Sequence, residues 1–571
     1  MADLKNIPIG IAGFPTIRQN NCIYADKTKL LRQLVKIPVP YFLSRPRRFG
    51  KSLLVSTLKA ILKGGDNKKL FEGLWIHDHS DYEWTPSPVI HLSMNSVSTF
   101  SLDKLECSLI SKLMDVAEAE NITIGRNQPS AYFEALINKL NDKYDRNVAV
   151  LIDEYDAPIL SKITRPDLAN GIREVLSNFY GVLKSAEENR GFTFITGVTK
   201  FTKASIFSTL NNLLDLTLDP EYASICGFTL KEFDSLFADR LPLALAEAKS
   251  KGDLEPDATE EDLKNKILDW YDGYSWDGQT RVLNPWSVLN FFERYEFSEY
   301  WFDSGGTSFL ADFIKERKIN LASFNSRDFL TDSLNTIDVG ANFSPTTLLF
   351  QAGYLTVGRT EKIGEKKKKF YLRFPNLDVQ AALSSLWLFL DSPIEAPLLL
   401  KRQAQTVLET LIQRRADDFQ KTFASFLAAV PWQIKLGYEA YYNTVFLWAM
   451  SMADQTWACQ DSAGDGQFDV HINTRDGNDY IIEMKYVREK EKGRKLSKEE
   501  IRIKKAEAAK EAMTQIEDKK YALKFQGQGN KIYKTALIIA GRNDVLVIFE
   551  EAKNWTLELD PSKNYYGVQE V

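Results

Sequence analysis

The stretch Leu43–Ser52 reads Leu-Ser-Arg-Pro-Arg-Arg-Phe-Gly-Lys-Ser, and it constrains this chain more than any other segment. It follows a short apolar run, Val39–Leu43, and precedes a helix-like run, Leu53–Leu62. A strand, a loop ending in Gly-Lys-Ser and then a helix is an order that lets backbone amides wrap a phosphate. In the usual pattern, GxxxxGK[ST], the lysine neutralises the β- and γ-phosphates and the hydroxyl holds magnesium. Gly50, Lys51 and Ser52 are in place, while Arg45 stands where the first glycine would be. Arg47 and Arg48 could add compensating charge, or could pair with carboxylates or fix a neighbouring loop. The expected nucleotide contacts are Arg47, Arg48, Phe49, Gly50, Lys51, Ser52 and Leu53.

A second signal lies about a hundred residues on. Val148–Ile152 is an apolar strand that ends in Asp153 and Glu154. Asp153 could hold magnesium together with Ser52, and Glu154 could polarise an attacking water. A third strand, Phe192–Gly197, ends at Thr199 and Lys200, either of which could sense a γ-phosphate or simply cap the strand. Arg190 is a candidate finger.

Strand-like runs at Tyr41–Leu43, Val89–Ser93, Val148–Asp153 and Phe192–Gly197 alternate with helical patterns, which predicts a mainly parallel sheet flanked by helices. Leu230 to about Leu334 reads as mostly helical. Leu348–Leu355 then ends a helix, Leu355–Val357 starts a strand, and a polar loop carrying Lys366–Lys369 leads to a second strand, Phe370–Phe374. Helix, hairpin, helix is the outline of a winged-helix domain. From Trp432 a new α/β pattern begins, with a helix at Tyr438–Met452, strands at Phe468–Ile472 and Tyr480–Lys485, a charged helix at 497–519, and strands at Thr535–Ala540 and Val545–Phe549.

In that last segment Asp469 enters one strand while Glu483 and Lys485 lie on the next. Alternation puts Glu483 and Lys485 on one face and Ile482 and Met484 on the other. If the strands pair as a hairpin, Asp469 approaches Glu483. Two carboxylates can bind a divalent metal and a lysine can position the hydrolytic water, which is the chemistry of phosphodiester cleavage. Glu439 could be a further acid and Gln515 could line the same site. Arg488–Glu511 holds ten Lys/Arg against six Glu, a run that solvates a helix face and could also meet phosphates.

Composition sets the limits. The 571 residues suffice for three or four domains, and 44% hydrophobic with 26% charged residues is ordinary for globular protein. The net charge of -5 gives no global basic signal, so a nucleic-acid partner needs a local surface. Four scattered cysteines form no CxxC pair, which argues against a zinc site or a disulfide framework. No signal-peptide pattern or apolar run of spanning length occurs, so a cytoplasmic location with no membrane partner is expected.

The string Phe42–Leu54 resembles the N-terminal signature of the AAA-ATPase-like family fused to a PD-(D/E)XK nuclease-like domain. In that family the first loop glycine is commonly absent. Further matches are Tyr24-Ala25-Asp26-Lys27-Thr28, Leu151–Asp156, Thr196–Phe201, Asn211–Asp215, Tyr271-Asp272-Gly273-Tyr274, Asn284-Pro285-Trp286-Ser287 and Gln351–Leu355, with Gln467–Asp469, Glu483–Lys485 and Gln515-Ile516 near the C-terminus. The resemblance implies a multidomain α/β protein. It would hold a P-loop ATPase domain (1–229), a helical lid (230–335), a winged-helix-like segment (336–395), a helical connector (396–430) and a restriction-endonuclease-like domain (431–571). By that resemblance Lys51, Ser52, Asp153 and Glu154 serve ATP and Mg²⁺. Asp469, Glu483 and Lys485 serve a nuclease, with Mn²⁺ able to replace Mg²⁺ there. The function expected is an ATPase whose nucleotide state regulates cleavage of DNA rather than RNA, in defence against foreign DNA and with nucleotide-dependent self-assembly. The alternative is a switch-type ATPase scaffold whose nuclease fold binds without cutting.

Overall fold

The computed structural model describes residues 4–163, 165–201, 212–251, 254, 256–303, 328–330, 334, 345–363, 367–379, 396–429, 439–453, 457–459, 462–463, 466–467, 470–474, 477–491, 494–518, 531–541 and 543–551. The chain divides into two compact units, one holding residues 1–319 and 327–379 and the other residues 320–326 and 380–571.

The first unit is built on five parallel strands: β1 (Pro40–Ser44), β2 (Val89–Ser93), β3 (Val148–Asp153), β4 (Arg190–Gly197) and β5 (Leu214–Asp215). Their order is β2-β3-β4-β1-β5. β1, β3 and β4 are buried at every position, as strands covered on both faces must be, and this is why each reads as an unbroken apolar run. β2 lies at the edge and alternates, with Ile90 and Leu92 inward. The expected strands therefore stand, and β3 keeps its expected bounds. Helix α1 (Lys51–Lys63) follows β1 and packs on β3, while α2 (Leu102–Ala119), α3 (Pro129–Tyr144) and α4 (Pro166–Ser185) complete the layers.

The helical middle consists of α5 (Leu230–Phe237), α6 (Leu241–Ser250), α7 (Glu260–Tyr271) and α8 (Pro285–Arg294) around a shared apolar core. Two Thr-headed capping boxes, Thr229/Glu232 and Thr259/Asp262, start α5 and α7. Helix α9 (Pro345–Ala352) then leads to a three-stranded sheet in the order β6-β8-β7, from β6 (Asp328–Leu330), β7 (Thr356–Ile363) and β8 (Lys367–Arg373). This is the expected helix and hairpin with an added strand. One detail is corrected: Lys367, Lys368 and Lys369 belong to β8 and pair with Ile363, Lys362 and Glu361, rather than forming the loop. Lys366 lies outside the described residues.

The second unit holds α10 (Ala396–Ile412), α11 (Ala416–Ala429), α12 (Glu439–Met452) and a five-stranded sheet. The sheet contains β9 (Trp457–Cys459), β12 (Val470–Asn473), β13 (Asn478–Val487), β16 (Lys531–Ala540) and β17 (Asp544–Glu551), in the order β17-β16-β13-β12-β9. Two short hairpins, β10 (Ser462–Ala463) with β11 (Gly466–Gln467) and β14 (Lys490–Glu491) with β15 (Arg494–Lys495), stand apart from it. β13 and β16 are parallel and are joined by helix α13 (Lys498–Asp518), which covers one face; α10, α11 and α12 cover the other. Among the described residues no helix is long and apolar enough to cross a membrane.

Candidate active sites

The phosphate loop leaves β1 at Ser44 and enters α1 through Gly50, whose φ of 89° suits glycine. Arg45, at the position of the missing first glycine, is fully buried. Its Nη1 donates to the carbonyls of Ser44 and Thr217 at 2.9 Å, its Nη2 donates to the Tyr222 carbonyl at 3.1 Å, and its guanidinium lies 4.0 Å from the centre of the Trp276 ring. Burial pushes it down to about 10. Arg45 therefore ties the loop to the strand-to-helix connection after β5. Arg45→Ala would strand these carbonyls and is expected to cost about 3 kcal/mol, read as a lower denaturation midpoint at unchanged slope.

The loop from Arg47 onward lines a cleft of about 420 Å³ together with Tyr24, Lys27, Glu154, Asp156, Cys226, Phe228 and Trp286. Arg47, Arg48, Phe49, Gly50, Lys51, Ser52 and Leu53 all border it. Arg48 takes φ 68° and stacks on Trp286, near the start of α8, with 4.2 Å to the ring centre. Phe49 is buried edge-on against Tyr274 and Trp276. Lys51 Nζ donates to the Pro46 carbonyl at 2.9 Å. Burial lowers its ammonium, and Asp153 and Asp156 oppose that shift.

Asp153 ends β3 and Glu154 follows it, beside β4 and one strand away from β1. Asp153 is buried and its Oδ1 has no hydrogen-bond partner, which is uncommon for a buried oxygen and fits a cation site. Glu154 is held at φ 54°, a strained conformation often found at working sites. Its carboxyl is raised by burial and then by Asp153, with Lys51 pulling the other way.

Asp156 was not singled out from the sequence. It is buried and accepts from Val198 N, Thr199 N and Thr199 Oγ1, the last two at 2.6 Å. A Cβ at Gly197 would meet its Oδ1 at 2.3 Å, so the Asp156 carboxylate requires glycine there. The Thr199 hydroxyl is thus committed to Asp156, and the Lys200 ammonium to Asp215. Arg190 is corrected as a finger. It sits at the start of β4, at the opposite end of the strand from Thr199, and donates to Leu183 O, Gly191 O and Thr193 Oγ1.

In the second unit Glu483 and Lys485 share the face of β13 that carries Ile481 and Val487 beneath α13, while Ile482 and Met484 enter the opposite core. Glu483 is 2% exposed, and Lys485 Nζ donates to its Oε1 at 3.2 Å. Gln515 is half-buried on α13. The β12–β13 register sets Val470 opposite Ile482 and stops one position short of Asp469, which lies outside the described residues. Glu439 begins α12. Sequence reasoning also missed His471, whose Nε2 lies 2.8 Å from Oδ1 of the buried Asp479. Among the described residues, no three His, Cys, Asp or Glu side chains form a metal-binding group.

A parallel sheet whose phosphate loop and acidic strand end flank one cleft defines a P-loop nucleotide-binding fold, here on the same chain as a second α/β sheet domain. The AAA-ATPase-like family, described as predicted AAA-ATPase, matches residues 8–207, and the PD-(D/E)XK nuclease superfamily matches residues 437–556. An uncharacterized protein in the vnfD 5' region of Azotobacter chroococcum mcd 1 is 34% identical over 535 residues, which cover 93% of this chain and 95% of that protein. The chain belongs to this family of AAA-ATPase-like proteins with a C-terminal PD-(D/E)XK nuclease-like domain. A STAND (Signal Transduction ATPase with Numerous Domains) protein with a tetratricopeptide repeat sensor, from Pyrococcus horikoshii, matches over 72% of this chain and 54% of its own, at 12% identity and a TM-score of 0.20. That score is too low to carry an argument.

Proposed function

We propose that the chain binds and hydrolyses ATP at the Lys51 cleft, and that its nucleotide state regulates metal-dependent cleavage of DNA by the C-terminal domain. The observation that supports this most is the placing of Lys51 and Glu154 on one cleft, with Asp153 beside them at the end of β3. Lys51 and the loop amides bind the phosphates, and Ser52 and Asp153 hold magnesium. A metal held there would neutralise phosphate charge. Glu154 orients the attacking water. Glu154→Gln keeps the shape and removes the proton acceptor. ATP binding should persist while phosphate release slows by roughly a hundredfold or more.

At the second site Asp469 and Glu483 hold Mg²⁺ or Mn²⁺, which supplies Lewis-acid stabilisation, and Lys485 positions the hydrolytic water. The basic residues of α13 and of the segment before it offer charge to the phosphate backbone of DNA. Defence against foreign DNA and nucleotide-dependent self-assembly complete this reading. The test is cleavage of linear, circular and single-stranded DNA and of RNA with Mg²⁺ or Mn²⁺, with and without ATP. Dependence on Lys51 would establish gating. No cleavage of any substrate by folded, ATP-binding protein would sink the nuclease half.

A second reading, a switch-type ATPase whose nuclease fold binds without cutting, is favoured by one observation: Glu483 is 2% exposed, with little room for a substrate phosphate. It predicts slow turnover, nucleotide-dependent assembly and no cleavage under any metal.

A further inference from the structure

Every residue of the phosphate loop from Arg45 to Phe49 is held from outside by later parts of the same unit. Trp276, Tyr274 and Trp286 grip Arg45, Phe49 and Arg48. The contacts at Pro46 and Arg47 come from further along the chain. Trp301 Nε1 donates to the Arg47 carbonyl at 3.1 Å. Gly353, at φ 94°, lies so close to Pro46 that a Cβ there would sit 2.6 Å from the proline Cβ. The Trp301 ring meets Tyr354 edge-on, with centroids 4.9 Å apart. One residue before the α9 end, the Gln351 amide accepts from Lys200 N at 2.9 Å and donates to the Leu334 carbonyl at 3.0 Å. A single helix end therefore touches both the phosphate loop and the segment after β4.

On the inner side of the same loop, Lys51 Nζ donates to the carbonyl of Pro46, the residue that Gly353 backs. The ammonium has three donors and commits one to that carbonyl, so β- and γ-phosphates compete with the braced residue for it. The loop is thus braced by Trp301 and Gly353, with its lysine bonded to the braced residue. Resting on the nucleotide reading above, we propose that Trp301 and the Gln351–Tyr354 turn form a clamp that restrains the phosphate loop, and that nucleotide binding works against it. Linkage makes the effect reciprocal: the free energy by which the clamp opposes nucleotide is the free energy by which nucleotide loosens the clamp. Nucleotide state is then felt at α9 and at the start of β7, which follows the Gly353 turn directly. Trp301, Gln351 and Gly353 are positioning residues, since they act through the loop.

The test uses the full chain. Affinity for a fluorescent ATP analogue is measured for the wild type, Trp301→Phe and Gly353→Ala, alongside thermal unfolding. Hydrogen exchange of residues 345–357 is followed in the wild type with and without ATP. Trp301→Phe keeps a ring beside Tyr354 but removes the N–H donor and part of the buried indole, while Gly353→Ala pushes on Pro46. Trp301→Phe is expected to bind the analogue roughly threefold to tenfold more tightly, the size of one net hydrogen bond, Gly353→Ala is expected to bind it more tightly as well, and ATP is expected to speed exchange across 345–357. Unchanged or weaker affinity in folded variants overturns the clamp, as does a lowered melting temperature with unaltered affinity, which is packing alone. Exchange that ATP leaves unchanged overturns it even if a variant does not fold. A wild type that binds no nucleotide refutes the nucleotide reading itself, a result distinct from binding without a clamp.

Discussion

Lys51→Ala is expected to abolish ATP binding at working concentrations while leaving the fold intact. The side chain is buried at the cleft, and its ammonium is lowered by burial but supported by Asp153 and Asp156. In the folded chain its hydrogen bond is to a loop carbonyl, so truncation without nucleotide removes one modest contact. With nucleotide bound, the same truncation removes the charge that faces the phosphates. Losing one partner of such a desolvated charge contact costs about 2–5 kcal/mol, or roughly thirtyfold to several-thousandfold in affinity. Isothermal titration with ATP and Mg²⁺ reads the loss, and an unchanged melting temperature without nucleotide separates it from misfolding. Wild-type affinity in Lys51→Ala would remove the phosphate-loop assignment and leave the cleft without its proposed ligand.

How far the sequence revealed this site follows from how local each contact is. β1, β3 and β4 were legible because strands buried on both faces must be apolar at every position. The Gly-Lys-Ser step was legible because its chemistry is carried by three adjacent residues. Arg45 was not. Read locally it is one more cation in a phosphate loop, but its partners Thr217 and Tyr222 are 172 and 177 residues away in sequence. Asp156 lay within a segment matched to the family, yet its bonds to Val198 and Thr199 bridge two strands that only the sheet order brings together. β5, with two residues, is too short to show a period and exists through its pairing with β1. In the second unit the alternation of Ile481 to Lys485 fixed which side chains share a face. The depth of Glu483 did not follow from it, because that depends on α13 closing over the strand.

Glu483→Ala is expected to eliminate DNA cleavage, by roughly 10²–10³-fold or more, the scale for losing a group that stabilises charge in the transition state. The carboxylate stands on a central strand, paired to β12 on one side and β16 on the other, with Lys485 bonded to its Oε1. Its position is therefore set by a rigid sheet, as a site for a hard cation requires. Its burial adds a complication, since deleting one member of a buried ion pair also destabilises the fold by leaving the other charge uncompensated. Glu483→Gln meets this difficulty: it keeps the volume and the acceptor for Lys485 but removes the negative charge that would hold a metal. If cleavage disappears in both variants while the Gln protein melts near the wild-type temperature, the charge itself is required. If Glu483→Gln cuts as well as the wild type, the nuclease assignment at β13 fails. If the wild type cuts no substrate with either Mg²⁺ or Mn²⁺, the deep burial of Glu483 is the feature to pursue, as the mark of a nuclease fold retained for binding.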